Sequence, residues 1–189
     1  MKPIKVEGIL LKKIDILKEK KVCTLLTKEE GLLSFIAYAP SKKNLIQLNL
    51  ISPLSKGDYN LQPGRGELFQ YRDGTLLDLH LPIRESWEKM SLSFEFFKMI
   101  LKTQLPQKPS KDLYLLLSSY LKYLGRCSNL LALKWSFYLK LLKHEGEYSL
   151  CSIDSTPQEK VLITRLVNAR KFSEIEEIQL PKNFEVVSV

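Results

Sequence analysis

Hydrophobic and polar positions change their period near Pro82. Before it, short apolar runs rich in strand-forming residues alternate with turn chemistry. Residues 4–14 lead into Lys18-Glu19-Lys20-Lys21, residues 22–27 into Lys28-Glu29-Glu30-Gly31, and residues 32–39 into Pro40-Ser41-Lys42-Lys43-Asn44. Further runs cover 45–51, 58–61 and 67–80, the last preceded by Gln62-Pro63-Gly64-Arg65-Gly66. About five short strands in about 80 residues, with no helical stretch between them, predict a small closed barrel. Asp73-Gly74 inside the last run marks a tight turn or a bulge.

After Pro82 the period becomes helical. Residues 85–103 place Trp87, Met90, Phe94, Phe97, Ile100 and Leu101 three or four apart, on one helix face. Ser86 caps its start, and Pro106 and Pro109 fall beyond its end. Residues 113–124 follow Ser110 as a cap and stop at Gly125, which reads as a left-handed terminator, while 130–144 stop in the same way at Gly146. Thr156-Pro157-Gln158-Glu159 is a capping box opening a helix to about Lys171, and Ser173-Glu174-Ile175-Glu176 repeats the box for a short last helix. The expected class is α+β, with a barrel over 1–81 and a helical bundle over 82–189.

The 189 residues are 44% apolar and 26% charged, which supports a packed core and excludes a disordered chain. Three cysteines at wide spacing, Cys23, Cys127 and Cys151, make no disulfide framework and fit a reducing compartment. No stretch approaches the roughly 18 apolar residues of a membrane span. Met1-Lys2-Pro3 opens no signal peptide, so a soluble intracellular protein is expected. The formal charge is +8, divided as +4 over residues 1–81, +5 over 82–150 and −1 over 151–189. A basic surface confined to the first two segments attracts polyanions, nucleic acid above all.

Catalytic chemistry finds little support. His80 and His144 stand in different halves without Cys, Asp or Glu at metal-ligand spacing, and both read as structural. Cys151-Ser152-Ile153-Asp154 lacks the second cysteine pair that a zinc site needs. Gly64-Arg65-Gly66 precedes a strand and lacks the third glycine or Lys-Ser/Thr of a phosphate loop. No Ser or Cys stands in a nucleophile motif. Neither an enzymatic activity, nor a cofactor, nor a metal is expected.

Binding chemistry is better represented. Lys18, Lys20, Lys21, Lys28, Lys42, Lys43, Lys56 and Arg65 cluster between the expected strands. In barrels of this kind, cations in the loops track phosphates and exposed aromatic rings stack on bases. Tyr38, Tyr59, Phe69 and Tyr71 are the candidate platforms. Phe35 and Tyr38 lie on opposite pleats of one strand, so only one of the two can be core.

Residues 5–30, followed by Gly31-Leu32-Leu33, resemble the start of the bacterial recombination mediator RecO family. Segment 37–44, Ile51-Ser52-Pro53-Leu54, Gly64-Arg65-Gly66-Glu67-Leu68 and Leu81-Pro82 also fall in family-like places, as does Phe137-x-Leu139-x-Leu141-Leu142-x-His144-x-Gly146. The resemblance covers about residues 4–150 and rests on the order and spacing of several segments. It implies an oligonucleotide-binding (OB) fold on a helical domain, in a non-enzymatic DNA repair protein of the bacterial cytoplasm and nucleoid. Such proteins bind single- and double-stranded DNA, anneal strands and, with RecR, help to load RecA. The sequence departs from the family at Tyr38-Ala39, where a loop cation is replaced, and at Trp135-Ser136-Phe137-Tyr138. Only Cys151 is left of a four-cysteine zinc element, and the chain reads as a short, zinc-less member. The competing reading is a protein-interaction module on the same fold that has lost DNA binding.

In the family, the helical region holds the acidic C-terminal tail of single-stranded-DNA-binding protein. Two readings of Trp135 on the helix over 130–144 follow: a core residue, or the wall of a groove rimmed by Arg126, Lys134 and Lys143 that takes such a tail. That helix is apolar almost all round, as expected of one buried on two sides.

Overall fold

The computed structural model describes residues 2–38, 45–64, 66, 68–149, 156–181 and 184. Strands β1 (Ile4–Leu17), β2 (Lys20–Thr27), β3 (Gly31–Tyr38), β4 (Lys56–Pro63) and β5 (Phe69–Asp78) close a barrel in the order β1-β2-β3-β5-β4. All pairings are antiparallel except β3 with β5, which meet in parallel at Phe35–Phe69 and Ile36–Gln70. This closed five-stranded barrel followed by helices is the expected α+β architecture.

One expected strand is a helix. The run over 45–51 forms α1 (Leu45–Leu50), which turns Leu50 and Ile51 into the barrel interior and leaves Leu45 and Ile46 exposed. A short apolar run does not distinguish strand from helix by period alone. The barrel wall decides. Tyr59 Oη donates to the Leu50 carbonyl at 2.9 Å, and Leu50 presses so closely on Gly57 that a Cβ there would stand 2.5 Å from its Cδ2. The bulge expected at Asp73-Gly74 is present one residue earlier: Asn60 pairs with Asp73 and Leu61 with Tyr71, leaving Arg72 as the extra residue.

Among the described residues six helices follow: α2 (Leu81–Arg84), α3 (Trp87–Thr103), α4 (Lys111–Leu124), α5 (Leu130–Glu145), α6 (Pro157–Asn168) and α7 (Phe172–Glu176). Ser86 and Ser110 cap α3 and α4 by accepting from Lys89 and Leu113 N–H, and the Thr156–Glu159 box forms in full. Gly146 ends α5 in the left-handed region at φ 79. Gly125 does not, because its backbone is right-handed (φ −53) and its missing side chain makes room for Pro82. The second expected box is also unformed. Phe172 stacks on Tyr123 at 4.3 Å and draws the start of α7 back to Lys171, so Glu174 accepts from Arg170 N–H instead.

Two cores result. Leu10, Leu25, Leu33, Phe35, Tyr59 and Phe69 fill the barrel. Ile9, Leu11, Leu26, Leu32 and Leu54, on the barrel's outside, join Phe96, Phe97, Ile100, Leu117 and Phe137 in one core with the helices. A polar contact reinforces the seam. Tyr114 Oη donates to Glu7 Oε1 at 2.7 Å while Lys56 Nζ sits 3.1 Å from the same oxygen. The Tyr114 hydrogen bond, aided by Lys56, holds the Glu7 carboxyl below its usual range. On α3 the buried face is Leu92, Ser93, Phe96, Phe97 and Ile100. Trp87 and Phe94, expected on that face, are exposed. α3 carries apolar residues on more than one side, so packing against the barrel and α5 selects the buried one.

Candidate nucleic-acid interface

Register along β1, β2 and β3 sorts the first half of the chain into two faces. Even-numbered positions of β2 and β3 point outward and odd-numbered ones inward. Three cross-strand rows lie on the outer face: Lys12–Thr24–Ser34, Ile14–Val22–Ile36 and Leu17–Lys20–Tyr38. The 3.4 Å contact between the Thr24 and Ser34 hydroxyls confirms that these side chains share a face. A fourth row on the same face, Ile9–Leu26–Leu32, is covered by the helices. The helical domain thus takes one end of this surface and leaves the other open.

The open end has mixed chemistry. Ile14, Leu17 and Tyr38 are exposed, with Tyr38 at 62%, and Ile16 protrudes from a bulge between Asp15 and Leu17. Lys18 lies in the two-residue turn joining β1 to β2. Among the described residues no carboxylate lies within ion-pair distance of Lys12, Lys18 or Lys20. Segment 12–22 holds five lysines against Asp15 and Glu19. Free cations bordering an aromatic ring and aliphatic side chains can pair with phosphates while the ring and aliphatics cover bases and sugars.

The expected residues divide accordingly. Lys18, Lys20 and Tyr38 are brought together on this surface. Lys21 sits on the other pleat, paired with Asp15 at 2.6 Å across the hairpin. Lys56 pairs with Glu7 at the seam and lies opposite Ile9. Ile9 and Leu17 are eight residues apart on β1, about 26 Å along the strand. Lys42, Lys43 and Arg65 lie outside the described residues, as does Cys151. Two expected platforms are corrected: Tyr59 and Phe69 are buried barrel core. Tyr71 is partly buried against Phe35 and Tyr59, with its hydroxyl pushed up to about 12 by burial. Lys12, Ile14 and Leu17 were not among the expected site residues. Their signal was an apolar alternation continuing past residue 14 into a two-residue Lys18-Glu19 turn, which keeps both strands paired to their tips.

The expected groove on α5 does not assemble. Lys134 and Lys143 are nine residues apart, which places them about 180° around the helix and about 13 Å along it. Lys134 is held by Glu95 at 2.8 Å, and Arg126 lies over the Tyr123 ring at 5.2 Å. The Trp135 indole packs edge-on against Tyr138 and Phe184, its Nε1 buried and without a hydrogen-bond partner among the described residues. Both histidines are engaged in the fold. Buried His80 meets the Leu54 carbonyl through Nδ1 at 2.8 Å, and His144 meets Ser110 Oγ and Glu145. Burial pushes the Cys23 thiol up to about 12 and the Cys127 thiol to about 11, so neither is a ready thiolate. No group of three or more candidate metal ligands occurs among the described residues, and no helix among them is long and apolar enough to cross a membrane.

Residues 1–80, the whole barrel, match the family model described as recombination protein O, N terminal. The chain is 28% identical over 151 residues to the DNA repair protein RecO of Chlamydia pneumoniae, covering 78% of this chain and 60% of that protein. To the DNA repair protein RecO of Chlamydia trachomatis serovar D it is 28% identical over 142 residues, covering 74% and 58%. The first 80 residues carry a RecO-type N-terminal domain, and the chain is similar to RecO proteins over about three quarters of its length. It spans about 60% of the length of these curated relatives. The match identifies the barrel as an OB-fold domain.

Proposed function

We propose that the chain is a non-catalytic recombination mediator that binds single- and double-stranded DNA on the open end of the β1–β2–β3 surface. In this reading it anneals strands, assists RecA loading together with RecR, and works at the nucleoid in the bacterial cytoplasm. The observation that carries the proposal is the surface left uncovered by the helices, where Lys12, Lys18 and Lys20 border Leu17 and Tyr38. Lysines without ion-pair partners release counterions when they meet phosphate, which makes binding tight at low salt and independent of sequence. Recognition of the acidic tail of single-stranded-DNA-binding protein is the part of the family resemblance that the geometry favours least, because Arg126, Lys134 and Lys143 do not converge.

The exposed aliphatic row Ile14, Ile16 and Leu17 favours a second reading, a surface for another protein. Salt dependence separates the two. Binding of a labelled oligonucleotide, measured between 50 and 200 mM salt, should weaken with a log–log slope of about −0.7 per phosphate neutralised, or near −3 for four to five contacts. A flat dependence, or no binding at low salt, would favour the interaction module.

A further inference from the structure

Trp87 begins α3 with 78% of its surface in solvent, the most exposed large apolar side chain among the described residues. It rims a cleft of about 310 Å³ between α3 and the start of α5, whose floor is Leu92, Leu130 and Leu131. Glu88, Glu95 and Lys134 edge the same cleft. An exposed indole beside an apolar floor is the pattern of an interface anchor rather than of an incidental surface residue.

Charge identifies what the cleft would take. Lys134 Nζ is 2.8 Å from Glu95 Oε2, so these two largely cancel. Glu88 has no hydrogen bond or ion pair among the described residues, and the next cation on α3, Lys89, is turned away to donate to the Gly125 carbonyl at 2.7 Å. The described lining therefore carries net −1 in a chain of net +8. Nucleic acid and acidic peptides are disfavoured at such a site, whereas a cation finds both the Glu88 carboxylate and the Trp87 ring.

We propose that this cleft docks an amphipathic segment of a partner protein, with one apolar side chain on the Leu92–Leu130–Leu131 floor and an adjacent Lys or Arg between Glu88 and Trp87. The site is separate from the β1–β2–β3 surface and does not depend on DNA binding there.

The test uses the full chain and two labelled 14-residue helical peptides with leucines at i and i+4. One carries lysines beside the leucines and the other carries glutamates at the same positions. The lysine peptide should bind measurably more tightly than the glutamate peptide. Trp87→Ala should weaken it by about thirtyfold, the loss typical of an aromatic anchor. Its melting temperature should stay near that of the parent because the ring is mostly in solvent. Glu88→Lys should reverse the preference between the peptides. Equal binding of both peptides, binding of neither, or an unchanged affinity in Trp87→Ala would overturn the proposal. So would sedimentation showing that the chain pairs with itself through Trp87, since the occupant would then be a second copy.

Discussion

Replacing Lys18 and Lys20 together by alanine removes one cation from the β1–β2 turn and one from the Leu17–Lys20–Tyr38 row, without touching an ion pair of the described fold. Five contacts are counted for the parent: Lys12, Lys18 and Lys20, with Lys42 and Lys43 following Tyr38 in the chain. At about −0.7 per phosphate on a single strand, the parent slope is about −3.5 and that of the double variant about −2.1. Between 50 and 200 mM salt the parent should then lose about 130-fold in affinity and the variant about 18-fold. Fluorescence anisotropy of a labelled oligonucleotide at four or five salt concentrations measures both slopes. Lys56→Ala is the matched control. It leaves Glu7 without its ammonium partner and so lowers stability, but it should leave the slope at the parent value. An unchanged slope in Lys18→Ala/Lys20→Ala, or an equal drop in Lys56→Ala, would refute the assignment of the interface to the hairpin.

Gly31→Ala should destabilise the chain by more than about 2 kcal/mol in urea unfolding, since a left-handed backbone alone costs an L-residue about 1–2 kcal/mol. Its φ is 71 and the new Cβ would stand 2.0 Å from the Lys108 carbonyl oxygen, in the segment that ties the helices to the barrel. Stability should fall as pH drops below the ordinary histidine range. Burial lowers the His80 pKa, so the unfolded chain takes up a proton that the folded one resists, and the contribution is complete only above that range. Denaturation at pH 7.5 and 5.5 measures this, and His80→Asn, whose residue type tolerates the left-handed backbone at φ 51, should flatten the difference. Metal analysis of the folded chain should find no stoichiometric zinc, because a structural site takes about four Cys or His ligands. One zinc per chain, or a chelator that lowers the melting temperature, would contradict this.

Local chemistry alone determined where most elements begin and end. Ser86, Ser110 and Thr156 satisfy the first N–H groups of their helices from within their own segments, and Gly146 alone among the expected terminators adopts the left-handed turn. Alternation along β3 separated buried Phe35 from exposed Tyr38, because neighbouring pleats must face opposite ways. Other features depended on contacts distant in sequence. The run over 45–51 became a helix because Leu50 fits against Gly57 and Tyr59, residues that only barrel closure brings there. α3 had apolar residues enough for more than one face, and packing against Tyr120 of α4 and Phe137 of α5 buried Phe96 while leaving Trp87 in solvent. Lysines alike in sequence were divided in the same way. Barrel register placed Lys21 opposite Asp15 and Lys56 beside Glu7, but left Lys18 and Lys20 without an ion-pair partner among the described residues, because cross-strand partners are set by the register of the whole sheet and not by neighbours in the chain.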